Sequence, residues 1–252
     1  HENGTTVQGI YYAHIAGNPE RLGVFNRDRE WILEPSAANI GQMRNRFGQF
    51  NYIGALASDR LRVFDPEEYK FRLIDDQRNE VTPERFDYIS IFFNGVATVG
   101  RRDDDAGESR FGAIDRNGNF IVPMNYLSMT TFRNGYAAAS RGRDQYDVLR
   151  ADGTVAFSFT TRYRFTSTNY GIFGDDWIVV MDADEATYFN TNGEVQLRVS
   201  CRTAYPFSEG IACIGDTSGR WHYINKSGER VAEGFMEARP FARGLAFVRK
   251  DT

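Results

Sequence analysis

Phe207-Ser-Glu-Gly210-Ile-Ala212, followed nine residues on by Trp221-His-Tyr-Ile224-Asn-Lys-Ser-Gly228, is the stretch that organises this chain. Its first half returns as Phe92-Phe-Asn-Gly95-Val-Ala97, Phe132-Arg-Asn-Gly135-Tyr-Ala137 and Phe241-Ala-Arg-Gly244-Leu-Ala246. With 20 Phe and 24 Gly, chance supplies about two Phe-x-x-Gly spacings, and here all four copies also carry an apolar residue followed by Ala. Tyr52-Ile-Gly-Ala55-Leu-Ala57 and Phe173-Gly-Asp-Asp176-Trp-Ile178 read as degraded copies. The anchors 52, 92, 132, 173, 207 and 241 then lie 40, 40, 41, 34 and 34 residues apart. The second half returns best as Phe111-Gly-Ala-Ile114-Asp-Arg-Asn-Gly118. Looser copies run from Leu22 to Arg29, Phe71 to Arg78, Tyr146 to Gly153 and Ala186 to Gly193. Phe86, Tyr126 and Phe235 stand six residues before an anchor, and Cys201 takes that place before Phe207.

Each part has a physical meaning. Val96-Ala-Thr-Val and Leu245-Ala-Phe-Val are rich in strand formers. Asp115-Arg-Asn-Gly118, Asn190-Thr-Asn-Gly193 and Asn225-Lys-Ser-Gly228 are reverse turns, with an Asx side chain to bond the backbone ahead and Gly to supply positive φ. Gly95 and its counterparts are expected to turn the chain into the next unit, where a side chain would collide. Each unit thus contributes three or four short antiparallel strands and hides its aromatic face only by stacking on its neighbours.

The expected fold is all-β: one repeat domain over 1–252, of about six units starting near 9, 52, 92, 132, 173 and 207, with a partial unit from 241. Drift in the spacing from 40 to 34 favours an open or superhelical array, and a closed β-propeller-like ring is the alternative. Helix is expected to be scarce and confined to Pro35–Phe50, which breaks the strand pattern.

The composition is that of an ordinary globular protein, 41% hydrophobic and 25% charged. Net charge is −4, and the 30 basic residues are scattered among 34 acidic ones, which argues against a nucleic-acid partner. No apolar run reaches the ~18 residues of a membrane span. The chain opens on His1 without a charged and apolar leader and reads as a processed product. A location outside the cytoplasm or on the cell surface follows if a signal was removed. Cys201 and Cys213 are read as two free, buried thiols, on the argument that Pro206–Gly210 carries the chain between units and so separates them.

The two motifs together resemble the WG repeat, a bacterial module of the pattern F-x-x-G-L-A followed by W-G-x-I-D-x-x-G. The likeness spans about residues 9 to 248 and is most specific over Phe207–Gly228. The chain has no Trp-Gly dipeptide: Phe111-Gly112 keeps the Gly and Trp221-His222 the Trp. The resemblance implies an extended β-repeat surface serving interactions, and it brings no catalytic or cofactor residues.

Sharper readings compete with plain ones. Asp115-Arg-Asn-Gly-Asn and Asp182-Ala-Asp-Glu185 bear oxygen ligands, but the alternating acids and closing Glu of a calcium loop are missing, so turn chemistry is preferred. No His or Cys spacing suggests zinc and no motif suggests a nucleophile, so the reading assigns no catalytic residue, metal or cofactor. The candidate binding rim is formed by Arg101, Arg102, Asp103, Asp104, Asp105, Arg141, Arg143, Asp144, Asp182, Asp184, Glu185, Asp216 and Arg220. These follow the first motif in each unit, and loops at one position of a repeat fall on one side of an array. The function expected is a non-catalytic scaffold presenting loops or a strand face to another macromolecule, with a protein as partner. The alternatives are a carbohydrate-binding protein or glycan-active enzyme using Trp31, Trp177 or Tyr11, and a structural subunit whose terminal strand pairs with a neighbour.

Overall fold

A computed structural model describes residues 10–15, 18–26, 28–36, 54–57, 59–65, 68–102, 107–162 and 172–250. Among them there is no helix. Most of the expected irregular stretch, 37–50, lies outside the described residues, and its start, Pro35-Ser36, ends a strand.

The strands are β1 (Ile10–Ile15), β2 (Asn18–Asn26), β3 (Trp31–Ser36), β4 (Gly54–Ala57), β5 (Arg60–Asp65), β6 (Lys70–Asp75), β7 (Tyr88–Ile89), β8 (Val96–Arg102), β9 (Ser109–Asp115), β10 (Phe120–Tyr126), β11 (Ser128–Met129) and β12 (Tyr136–Gly142). They continue as β13 (Gln145–Arg150), β14 (Val155–Thr160), β15 (Phe173–Gly174), β16 (Trp177–Asp182), β17 (Glu185–Asn190), β18 (Val195–Ser200), β19 (Thr203–Ala204), β20 (Ile211–Gly215), β21 (Trp221–Asn225), β22 (Arg230–Phe235), β23 (Glu237–Ala238) and β24 (Val248–Arg249). Every sheet joins strands consecutive in the chain: β1–β3, β4–β6, β7–β10, β11–β14, β15–β18, β19–β22 and β23–β24. Pairings within the sheets are antiparallel, as in β16–β17 and β20–β21. The sheets follow one another in tandem along the chain.

Residues 1–125 and 126–252 form two compact units. In each, the sheets stack face to face, because alternate residues of a strand serve the cores on either side of it. In the first unit, Val24 and Ile32 meet Leu61, Val63 and Ile74. The middle sheet's other face, Phe71 and Leu73, meets Ala97, Val99 and Ile114. In the second unit, Ala138, Tyr146 and Val148 meet Ile178 and Val180. Val179, Met181, Ala186 and Tyr188 then meet Ala212, Ile214 and Ile224. Cys213 and Tyr223 face onward to Phe235 and Ala238.

The turns follow the motifs. Asn94-Gly95, Asn134-Gly135, Glu209-Gly210 and Arg243-Gly244 each have positive φ at both positions, as a two-residue type I′ hairpin requires. The pair Asp175-Asp176 adopts the same conformation without glycine. These turns join the first strand of a sheet to its second, so they do not lead into the next unit. Nor is collision the constraint: a Cβ at Gly95, Gly135, Gly210 or Gly244 would meet nothing within 4 Å, and positive φ alone selects glycine. Pro206–Gly210 is likewise a hairpin inside one sheet, pairing Thr203 with Gly215 and Ala204 with Ile214. Both cysteines are nevertheless free and buried. In this register Cys213 faces Tyr205, whose N–H donates to its carbonyl at 2.9 Å, and Cys201 lies four residues further along, in a different core.

In the degraded copy at 52–57, residues 51–53 lie outside the described set. Pairing of Arg60 with Asp75 corresponds to that of Val96 with Asp115, so Leu61 and not Ala57 takes the place of Ala97. The first motif there lies four residues later than the sequence pattern suggests, because no Phe-x-x-Gly marks the turn.

Candidate functional site

An antiparallel four-stranded sheet has two ends. The hairpin between its second and third strands projects at one end, and the first-to-second and third-to-fourth hairpins project together at the other. The candidate rim residues mark the first end, the glycine turns of both motifs the second.

At the rim end, Arg101 and Arg102 are the last residues of β8, Arg141 belongs to β12, and Asp182 and Glu185 close β16 and open β17. Only Arg143, Asp144, Asp184, Asp216 and Arg220 lie in the loops proper, and Asp103, Asp104 and Asp105 fall outside the described residues. Several of the charges are engaged internally. Arg101 lies 5.7 Å from the Phe86 ring centroid and pairs with Glu84. Arg141 reaches Asp147 at 3.1 Å. Asp147 is 3% exposed and also accepts hydrogen bonds from Tyr126 Oη at 3.0 Å and Ser158 Oγ at 2.6 Å. Glu185 pairs with Arg198 at 2.7 Å, which also donates to Thr187. Asp216 accepts from Ser218 and His222, at 2.6 and 2.7 Å, and these bonds hold its carboxyl well below the usual carboxylate range.

Asp147, Thr187 and His222 share one position of the repeat, the one filled by Gly112 in the best-kept copy. An added Cβ at Gly112 would sit 2.5 Å from the Val122 carbonyl oxygen. The sheet of His222 makes room by a register shift in β22 beside Gly234, whose φ is +83° and whose N–H points to Nδ1 at 3.4 Å. This buried polar column was not anticipated. Its signal was present in the sequence, as Gly112, Asp147, Thr187 and His222 at the second position of the second motif.

Four rim side chains in the second unit are exposed and form no hydrogen bond or ion pair among the described residues: Arg143, Asp144, Asp182 and Asp184. Their hairpins are held from behind. Thr161 donates its N–H to the Asp144 carbonyl at 2.9 Å and its hydroxyl to the Met181 carbonyl, and Cys201 donates to the Asp184 carbonyl at 2.9 Å. Arg143 and Asp144 both have positive φ, a conformation non-glycine residues hold only where the surroundings enforce it.

At the other end the Asx turns are closed on themselves. Asp115 Oδ1 accepts the N–H groups of Asn117 and Asn119 at 2.8 and 2.9 Å, while Oδ2 accepts the Asn119 amide at 3.0 Å. Asp75, Asn190 and Asn225 repeat the arrangement, so these oxygens serve the turn.

Residues 71–101, 111–142 and 221–251 match the model of the WG containing repeat. These three segments match the WG repeat. The first two matches begin on the third strand of one sheet and end on the second strand of the next, and the third begins on the third strand of its sheet, so the matched repeat is out of phase with the sheet it helps to build. A search of curated proteins finds no match. Similar solved structures include BamB from Moraxella catarrhalis, at 13% identity and a TM-score of 0.47 over 92% of this chain and 74% of that one. Sqt1 of Saccharomyces cerevisiae is 10% identical, with a TM-score of 0.45 over 98% and 80%. The WD40 β-propeller domain of Doa1 is 8% identical, with a TM-score of 0.40 over 96% and 86%.

Proposed function

We propose that the chain is a non-catalytic interaction scaffold that binds a partner protein through its second-to-third-strand hairpins. The observation that carries this reading is the division of labour at the rim. One set of charges is tied to the buried polar column, while Arg143, Asp144, Asp182 and Asp184 stand exposed on hairpins braced by backbone bonds. A braced hairpin loses little conformational entropy when it binds, which favours recognition. Of the aromatics that a glycan-binding reading would use, Trp31 and Trp177 are engaged, and the Tyr11 side chain lies outside the described residues. Trp31 meets Phe25 edge-on at 5.6 Å, and Trp177 lies against Phe207 at 5.1 Å and under Lys226.

The test is a pull-down from native extract, read by mass spectrometry, with the wild type beside Arg143→Glu and Asp184→Lys. The partner should be lost from both variants while their far-UV circular dichroism stays unchanged. Retention of the same partner by both would reject the rim as its site.

A further inference from the structure

The turn end of the second unit contains two equivalent joints between neighbouring sheets, and only one of them is filled. Where β15–β18 meets β19–β22, Lys226 reaches back from its Asx turn. Its Nζ lies 5.1 Å from the centroid of the Trp177 ring and donates to the Asp175 carbonyl at 2.9 Å. The Asp175 carboxylate accepts the Gly210 N–H at 2.5 Å.

Where β11–β14 meets β15–β18, the motifs put Thr191 in the place of Lys226, Tyr136 in that of Trp177 and Asn134 in that of Asp175. Phe173 and Asp176 replace Phe207 and Gly210. Threonine is too short to make the crossing. What remains is an open depression of about 590 Å³ lined by Asn134, Tyr136, Phe173, Asp175, Asp176 and Thr191. The Asn134 amide, the Tyr136 hydroxyl, the Asp176 carboxylate and the Thr191 hydroxyl have no hydrogen-bond partner among the described residues.

We propose that this notch binds an alkylammonium group, supplied by a lysine side chain of a partner protein. The chain itself shows what fits: the filled joint holds a lysine ammonium against an aromatic ring and a turn carbonyl. The empty joint keeps an aromatic ring and a turn, with Tyr for Trp and Asn for Asp, and lacks the lysine. Of the two carboxylates in its lining, Asp175 is engaged by Gly210 and lies beside the Lys226 ammonium, while Asp176 has no such partner and favours a positive ligand. Tyr136 and Phe173 stack at 4.8 Å and 23°, so each covers a face of the other. That leaves a poor platform for a sugar ring and an apolar floor for the methylene stem of a lysine. An ammonium held near such rings gains cation–π attraction. The lysine source rests on the scaffold reading above, whereas the preference for ammonium does not.

The test is a titration of the ¹⁵N-labelled full chain with n-butylammonium, followed by two-dimensional NMR, with n-butanol as the uncharged control. The wild type should show saturable shifts at the Asn134, Asp176 and Thr191 amides that n-butanol does not reproduce. Asp176→Asn keeps a residue tolerant of positive φ. It should weaken binding by up to about five-fold, the range of an exposed charge pair. Thr191→Lys should fill the notch and abolish the response, and Lys226→Ala should open a second site reporting at Gly210 and the Trp177 indole. Equal shifts with n-butanol, or an undiminished response in Thr191→Lys, would overturn the ammonium site. Binding of n-butylammonium together with undiminished partner capture by Thr191→Lys would overturn the lysine source alone.

Discussion

Two glycines with the same backbone angle are held for different reasons. Gly210 and Gly193 have φ of +80° and +85°. A Cβ on Gly210 would meet nothing, whereas one on Gly193 would lie 2.7 Å from Phe157 Cγ, in the neighbouring sheet. Gly210→Ala should therefore cost about 1–2 kcal/mol, the strain of a left-handed alanine. Gly193→Ala should cost more, because the ring of Phe157 sits in a packed core and must shift as well. Urea denaturation of the two variants measures the difference, and equal midpoints would mean that the turn glycines do not brace neighbouring sheets. The same logic holds at Gly118, where the obstacles are Thr82 Cβ at 2.8 Å and the Val81 carbonyl oxygen at 2.9 Å.

At the scale of the element, the phenylalanine anchors are equivalent in place and unequal in burial. Phe132 and Phe207 are fully buried, while Phe92 and Phe241 are half-buried. Phe207 packs edge-on against Trp177 and Tyr188, at 5.1 and 4.8 Å. Phe207→Ala should cost about 3–5 kcal/mol, and Phe241→Ala clearly less, since it leaves a smaller cavity. A chemical denaturation series decides it, and equal losses would show that the partly exposed anchors are as tightly held as the buried ones. The strands and turns were legible because each unit repeats the same local chemistry: Phe132, Gly135 and Ala137 mark a hairpin whose type follows from Asn-Gly. The destination of each hairpin was not legible. Asn94-Gly95 closes a loop within its sheet, but a two-residue turn reads the same whether the strands it joins pair with each other or part. The rim was placed at one end of the sheets by its regular spacing. Its division into engaged and unengaged charges was not readable, because Arg141 and Asp147 meet across a hairpin. The notch escaped notice because Thr191 is unremarkable until set beside Lys226.

For the molecule as a whole, alkali should be a greater threat than reduction. Burial pushes the Cys201 thiol up to about 11 and the Cys213 thiol to about 12. Burial, with the Asp147 carboxylate next, pushes Tyr126 up to about 12, and burial raises Tyr188 further. All four groups ionise more readily in the unfolded chain, where a thiol titrates near ~8.5 and a tyrosine near ~10. Their contribution to stability is therefore complete below pH ~8.5 and is lost as pH rises from there toward 11–12. Thermal melts should show a falling midpoint above pH ~8.5, unchanged by reductant, while a thiol reagent at neutral pH finds two cysteines only after denaturation. A melt that responds to reductant would reveal a disulfide.

The offset between the WG repeat and the sheet has an evolutionary corollary. A segment that starts on a third strand and ends on the following second strand is always half of one layer and half of the next. Excising or duplicating such a segment between equivalent points changes the number of layers by one and leaves each surviving layer with its full complement of strands. Recombination within such a gene can therefore lengthen or shorten the array without exposing a raw internal seam, and every product inherits the same interlocking joints.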